Sequence, residues 1–130
     1  MNLFVYGTLR DPDIQMALFG RYVPPRKACL EGWSIYAGED GFLFIQKNES
    51  GEDSVEGLIL ELSDEELRIA DHWEGEGYAL ERVYAYLEHA GIEEAFVYTK
   101  PYEQGKPHNE DKWFYHDKED IIEEIIRWRR

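Results

Sequence analysis

The chain begins with a short apolar run, Leu3-Phe4-Val5-Tyr6, that Gly7 stops after the length of one strand. Because the run is rich in β-forming residues and too short for a helix, it predicts a buried strand almost at the first residue. Gly32 to Ala37 and Phe42 to Lys47 predict two further strands, separated by a Gly-Glu-Asp-Gly turn. In the segment from Val55 to Leu62 apolar residues occupy both faces, which predicts a strand in a central position of a sheet.

The second half of the chain contains a predicted hairpin. Val83, Ala85 and Leu87 alternate with polar and aromatic residues, and the segment from Ala95 to Thr99 alternates in the same way, with a turn at Gly91 between them. The polar stretch at 101–112 contains two prolines and a glycine, which is typical of a surface loop.

Three helices are predicted from capping signals and apolar spacing. The first spans about Asp13 to Phe19 and is closed by Gly20. The second spans about Asp64 to Trp73 and ends at Gly75; Ser63 and Glu66, three residues apart, form a capping box at its start. The third carries Ile121, Ile125 and Trp128 on one stripe, which we expect to dock on the sheet.

The charge and the cysteine content of the chain indicate which kinds of partner it does not bind and in which compartment we expect it. The chain has 28 acidic against 14 basic residues, and a net charge of −14 repels phosphate backbones and anionic lipids alike, so we expect neither nucleic-acid nor membrane binding. The single Cys29 cannot form an intramolecular disulfide. The first residues lack the basic segment followed by an apolar segment that is typical of a signal peptide. We therefore expect a cytoplasmic protein with one domain over residues 1–130, and we expect a monomer.

Two short segments are candidates for chemistry. In the segment from Tyr6 to Arg10 a buried strand delivers a glycine and several backbone N–H groups into a turn, an arrangement that can hold a carboxylate or an oxyanion. The alternative is a glycine that only ends the strand. Glu74 lies at the end of the predicted second helix beside Trp73, and both the helix dipole and the aromatic neighbour would raise the pKa of its carboxyl toward that of a general base. The alternative is a solvated surface carboxylate.

Other sites are weakly indicated. The four histidines, His72, His89, His108 and His116, show no metal-ligand spacing, so we expect no metal site. Cys29 has apolar neighbours, which are typical of an ordinary buried thiol rather than a nucleophile. Nucleotide-binding glycine motifs are absent. The hairpin aromatics are interpreted as core, with pocket lining as the alternative; they are Tyr84, Tyr86, Phe96 and Tyr98.

Taken in order, several segments resemble the γ-glutamyl cyclotransferase-like family, especially its small members similar to γ-glutamylamine cyclotransferase. The resemblance covers about residues 3–99 and implies an α+β fold, a small mixed β-barrel with short flanking helices. The segments that carry it are Phe4 to Arg10, Val55-Glu56-Gly57-Leu58, Ala70 to Gly75, Glu81-Arg82-Val83 and Ala95 to Tyr98.

The resemblance also implies a reaction and its site residues. In that family the first loop holds the γ-glutamyl end of the substrate, which assigns binding to Tyr6, Gly7, Thr8 and Leu9, and the glutamate of the corner is the acid/base, which assigns catalysis to Glu74. The α-amine of a small γ-glutamyl substrate attacks the side-chain carbonyl of the same molecule, and 5-oxoproline and a free amine or amino acid are released. This mechanism needs no cofactor. We expect the missing side chain of Gly7 to let the substrate approach and to permit any positive φ that the turn requires.

Some positions depart from the family pattern. Leu80 stands where a tyrosine is common, with Tyr78 nearby, and the segment from Asp40 to Leu43 stands where a glycine-proline segment is common; both differences bear on acceptor specificity. Glu76 lies beyond the corner and fits the spacing less well than Glu74. Two other functions stay open: a non-catalytic binding or interaction domain on the same fold, and a thiol hydrolase that uses Cys29.

Overall fold

The computed structural model describes residues 1–75, 77–89, 91–109 and 111–129. Five strands close a barrel, and three further strands form a separate sheet. Neighbouring strands of the barrel follow the order β1 (Asn2–Val5), β5 (Ser54–Glu61), β2 (Pro25–Glu31), β6 (Ala79–Leu87) and β7 (Gly91–Thr99). The order in the separate sheet is β4 (Leu43–Lys47), β3 (Trp33–Ala37) and β8 (Lys106–Pro107). The helices are α1 (Pro12–Phe19), α2 (Asp64–Glu74) and α3 (Lys118–Arg129). The predicted α+β fold, a barrel with flanking helices, is confirmed.

Alternation along the strands divides the core into two clusters. In β1, Phe4 belongs to a cluster with the barrel residues Val83 and Val97, whereas its neighbours Leu3 and Val5 pack with residues of the helices. β5 pairs with β1 on one side and with β2 on the other, which confirms its central position. At β1 the barrel wall is therefore covered by apolar side chains on both faces.

Local signals set the ends of the helices. Ser63 and Glu66 form the expected capping box at the start of α2, and Gly75, with φ +74°, ends that helix. In α1 the side chain of Asp11 accepts hydrogen bonds from the backbone N–H groups of Asp13 and Ile14. On α3, the predicted stripe residues Ile121 and Ile125 are buried in the same cluster as Leu3 and Val5 of β1. Among the described helices, none is long and apolar enough to cross a membrane.

Strand direction brings distant segments to one end of the barrel. β1 and β7 pair in parallel, with Leu3 opposite Phe96, so the residues that follow these two strands lie at the same edge. β6 runs antiparallel to β7, with Ala79 opposite Thr99, and the segment that leads from α2 into β6 therefore arrives at that edge as well. The turn after β1, the end of α2 and the residue after β7 converge there.

Two sequence predictions about the second half of the chain are wrong. The stretch at 101–112 is not only a loop, because Lys106–Pro107 pairs with Tyr36 and Ala37 of β3. Tyr84 and Tyr86 are not core, since they are 63% and 42% exposed. The residues of β6 alternate as predicted, but the smaller Val83 and Ala85 point inward and the tyrosines point to solvent.

Candidate active site

A cavity of about 250 Å³ opens at the end of the barrel where the three segments converge. Its walls come from the turn after β1, the end of α2, the β3–β4 loop, the start of β6, the end of β7 and α3. The residues used below that line it are Tyr6, Gly7, Thr8, Leu9, Asp40, Leu43, Trp73, Glu74, Tyr78, Tyr98, Lys100 and Glu124. The structure thus brings the first loop and Glu74 together in one cavity, although α2 and β1 are distant in sequence.

The turn after β1 is fixed from behind by the Tyr6 side chain. Tyr6 is buried, and its hydroxyl donates a hydrogen bond of 2.6 Å to the backbone oxygen of Tyr98 on β7. Within the described part of the chain, no group accepts a hydrogen bond from the backbone N–H groups of Gly7, Thr8 and Leu9, because these residues begin the short 3₁₀ turn at Thr8–Arg10. These donors are therefore available to a ligand.

The φ of Gly7 lies outside the left-handed region that favours glycine. It is −128°, so the turn requires no positive φ at this position. A Cβ at this position would lie 3.2 Å from the backbone oxygen of Trp113 and 3.6 Å from Cβ of Leu43, so the missing side chain permits close packing beside the cavity. Arg10, the last residue of the candidate segment, does not line the cavity; its guanidinium lies 4.8 Å from the centroid of the Trp113 ring.

Glu74 is the last residue of α2, and its side chain lines the cavity. Burial of the carboxyl raises its pKa to about 7, Lys100 opposes that rise, and Asp71 adds to it. The pKa is raised as expected from the sequence, but the main cause is desolvation rather than the helix dipole. A carboxyl with a pKa near 7 can accept and return a proton at neutral pH.

Two tyrosines surround the carboxyl. Tyr78 and Tyr98 contact each other edge to face, with ring centroids 6.4 Å apart. The Tyr78 hydroxyl donates to the backbone oxygen of Leu43 at 3.3 Å, and the Tyr98 hydroxyl donates to Oδ1 of Asp71 at 3.3 Å. Burial, reinforced by nearby carboxylates, raises the pKa of both phenols, so they remain neutral donors.

From the sequence, neither Lys100 nor Glu124 is a candidate site residue, and Tyr98 is interpreted as core with pocket lining as the alternative. Lys100 directly follows β7, and its ammonium is 3.4 Å from Oδ2 of Asp40 and 4.5 Å from the centroid of the Tyr78 ring. The signal that could have found it is a lone lysine after a strand that ends beside the first loop. Glu124 lies on α3, and only its position on the helix face next to the cavity identifies it as a site residue.

The other candidates lie elsewhere. Cys29 is on β2 outside the cavity, and burial raises the pKa of its thiol, which disfavours the thiolate. Within the described residues no group of three or more histidine, cysteine or carboxylate side chains is arranged to hold a metal ion. Glu76, the second glutamate of the corner, lies outside the described residues.

Solved structures share this architecture. The protein At5g39720.1 from Arabidopsis thaliana superposes with a TM-score of 0.71 and 21% identity, over 98% of this chain and 83% of that one. A protein named gamma-glutamyl cyclotransferase gives 0.71 and 13%, over 95% and 98%. An AIG2-like protein from Mus musculus gives 0.62 and 19%, over 85% and 97%. At these identities the likeness shows a common fold.

Sequence comparison gives the family. No curated protein matches the chain significantly. The sequence profile described as gamma-glutamyl cyclotransferase, AIG2-like, matches residues 3–116, which is most of the chain and includes every segment that lines the cavity except α3. The chain therefore belongs to the AIG2-like γ-glutamyl cyclotransferase family.

Proposed function

We propose that this protein is a cofactor-independent γ-glutamyl cyclotransferase that converts a small γ-glutamyl compound into 5-oxoproline and a free amine or amino acid. Membership of the family supports a cyclotransferase-type role for the chain. The observation that carries the finer proposal is that Glu74, with a pKa raised to about 7, lines the same cavity as the open N–H donors of the first turn.

In the proposed reaction Glu74 moves one proton twice. The neutral α-amine of the substrate attacks the γ-carbonyl carbon, a C–N bond forms, and the carboxylate of Glu74 takes a proton from the attacking nitrogen. The protonated carboxyl then gives that proton to the nitrogen of the leaving amine, and the original C–N bond breaks. A single group with a pKa near 7 suits both steps, since it exchanges protons easily at neutral pH.

The turn after β1 would hold the glutamyl end of the substrate. In the proposed reaction the N–H groups of Gly7 and Thr8, two residues that line the cavity, stabilise either the substrate carboxylate or the oxyanion that develops on the γ-carbonyl. Tyr6 and Leu9 complete this wall, and the hydrogen bond from Tyr6 to β7 holds the turn in position. The cavity would also bend the substrate so that its amine lies near its own side-chain carbonyl.

The test is to measure 5-oxoproline after incubation with γ-glutamyl amines, γ-glutamyl dipeptides and glutathione. We expect Glu74→Gln to lower turnover by about 10²–10⁴ while ligand binding is retained, because only proton transfer is lost. Glu76→Gln is the sequence-matched comparison, and we expect it to be nearly silent. If the two variants behaved the other way round, the acid/base would be two residues farther along.

The same assay separates the alternatives. Ligand binding without any 5-oxoproline would favour a non-catalytic binding domain on this fold. Activity that is lost when Cys29 is alkylated would favour the thiol hydrolase, whereas the proposed cyclotransferase tolerates the modification because Cys29 lies outside the cavity.

A further inference from the structure

Lys100 is unusual in this cavity for its charge. Among the described residues that line the cavity it is the one cation, and the other charged residues there are Asp40, Glu74 and Glu124. Its side chain is only 12% exposed, although lysine side chains are seldom so deeply buried in a small protein. Burying an ammonium is costly unless something compensates for its lost hydration.

The protein compensates for that loss only in part. An ammonium has three N–H donors, and within the described residues Lys100 uses one of them, toward Oδ2 of Asp40 at 3.4 Å. That distance is long for a charge-assisted hydrogen bond, which is usually near 2.7–2.9 Å. The Tyr78 ring faces the ammonium from another side and attracts it without accepting a full hydrogen bond. Donor capacity is therefore left for a ligand.

The main chain of Lys100 is also anchored. The backbone N–H of Lys100 donates to the oxygen of Ile45, and the backbone oxygen of Lys100 accepts a 2.7 Å hydrogen bond from the Gln46 side chain. The main chain of Lys100 is thereby tied to β4 of the separate sheet. An anchored main chain limits the positions that the ammonium can reach, so less freedom is lost when the ammonium binds an anion.

We propose that Lys100 is a specificity-determining residue whose ammonium binds a carboxylate of the γ-glutamyl ligand. The proposal rests on the proposed function of the cavity, because that function supplies the ligand class. Two carboxylates meet this description: the α-carboxylate of the glutamyl end, and the carboxylate of a leaving group that is an amino acid rather than a plain amine. Asp40 competes with either for the same ammonium.

The experiment uses two pairs of ligands that differ only by a carboxylate. 5-Oxoproline and 2-pyrrolidinone differ by the α-carboxylate, and γ-glutamylalanine and γ-glutamylethylamide differ by the carboxylate of the leaving group. Dissociation constants are measured by calorimetry in a Glu74→Gln background, so that no ligand is turned over. Lys100→Met is compared with Lys100→Arg, and Lys47→Met removes an exposed lysine at the end of β4 as the matched control.

We expect Lys100→Met to weaken the carboxylate-bearing member of at least one pair by about 10- to 100-fold, the usual loss of a charged hydrogen bond, and to leave the other member of that pair almost unchanged. Lys100→Arg should restore most of the preference, and Lys47→Met should have no effect. A response in the 5-oxoproline pair assigns the α-carboxylate, and a response in the alanine pair assigns the leaving group. A second variant, Asp40→Asn, removes the competitor and should strengthen the same preference by about two- to fivefold.

The proposal is overturned if the parent protein shows no preference for a carboxylate in either pair, or if Lys100→Met weakens all four ligands equally or none of them. Failure of the proposed function looks different, since the wild-type protein would then make no 5-oxoproline whatever the binding assay shows. The Glu74→Gln background also removes the effect that Lys100 has on the pKa of Glu74, so the binding comparison does not depend on that effect.

Discussion

Replacing Glu74 by glutamine should stabilise the folded protein at neutral and alkaline pH. The carboxyl has an ordinary pKa of 4.5 in the unfolded chain and a pKa of about 7 in the folded protein, mainly because folding removes it from water. Between these two values the folded protein holds a proton that the unfolded chain has released. The stability of the wild-type protein therefore falls as the pH rises from 4.5 to 7, and the loss is complete above pH 7.

The magnitude follows from the difference between the two pKa values. A difference of about 2.5 corresponds to roughly 3 kcal/mol at about 1.4 kcal/mol for each unit of pKa. Glutamine has the same shape and cannot ionise, so the variant is free of this cost. We expect the difference in unfolding free energy between Glu74→Gln and wild type to grow by about 3 kcal/mol in favour of the variant between pH 4.5 and pH 8.

Urea denaturation at several pH values measures this difference directly, provided that the slope m stays the same in both proteins. Glu123→Gln is the control, because it removes one exposed glutamate of α3 outside the cavity. Its effect should change by less than about 0.5 kcal/mol over the same range. A difference between Glu74→Gln and wild type that does not change with pH would refute the account of a buried, proton-binding carboxyl.

Two further predictions concern glycines that stand where backbone segments approach closely. Gly7→Val should abolish binding of γ-glutamyl ligands, because the valine side chain would press on the Trp113 carbonyl beside the cavity, whereas Thr8→Ala should lower the affinity about tenfold or less. Calorimetry measures both affinities, and circular dichroism shows whether each variant is folded. A folded Gly7→Val protein that binds as the wild type does would contradict the prediction. Gly57→Ala should lower the free energy of unfolding by at least about 1–3 kcal/mol, because the alanine Cβ would lie 2.6 Å from the Phe4 ring and against the backbone oxygen of Val5. An unchanged midpoint of urea denaturation would contradict this prediction.

Features encoded by neighbouring residues could be predicted from the sequence. The capping box at Ser63 and the stop at Gly75 depend on residues within one or two turns of the helix, and both are where the sequence puts them. The central position of β5 was predictable because apolar residues on both faces require cover on both faces. For the site, the resemblance supplied the loop and the glutamate. The direction of the pKa shift was expected as well, but burial, which is its main cause, comes from the tertiary structure.

Features that depend on distant partners could not be predicted. β8 is two residues long and owes its existence to pairing with β3, which no local pattern encodes. Tyr84 and Tyr86 have the β propensity of core residues, yet the barrel interior takes the smaller Val83 and Ala85. Lys100 enters the cavity only because β7 lies parallel to β1, a pairing across most of the chain.

The parallel contact between β1 and β7 has a consequence for how the protein folds. The hydrogen bond from Tyr6 to Tyr98 joins residues 92 positions apart, and closing a loop of that length costs about 4 kcal/mol of chain entropy beyond a constant term. Because contacts this distant form late and slowly, the cavity is completed only when the barrel closes. A growing polypeptide on the ribosome would thus have no ligand site until β7 has emerged. A bound ligand would also slow unfolding, because it would hold β1 and β7 together.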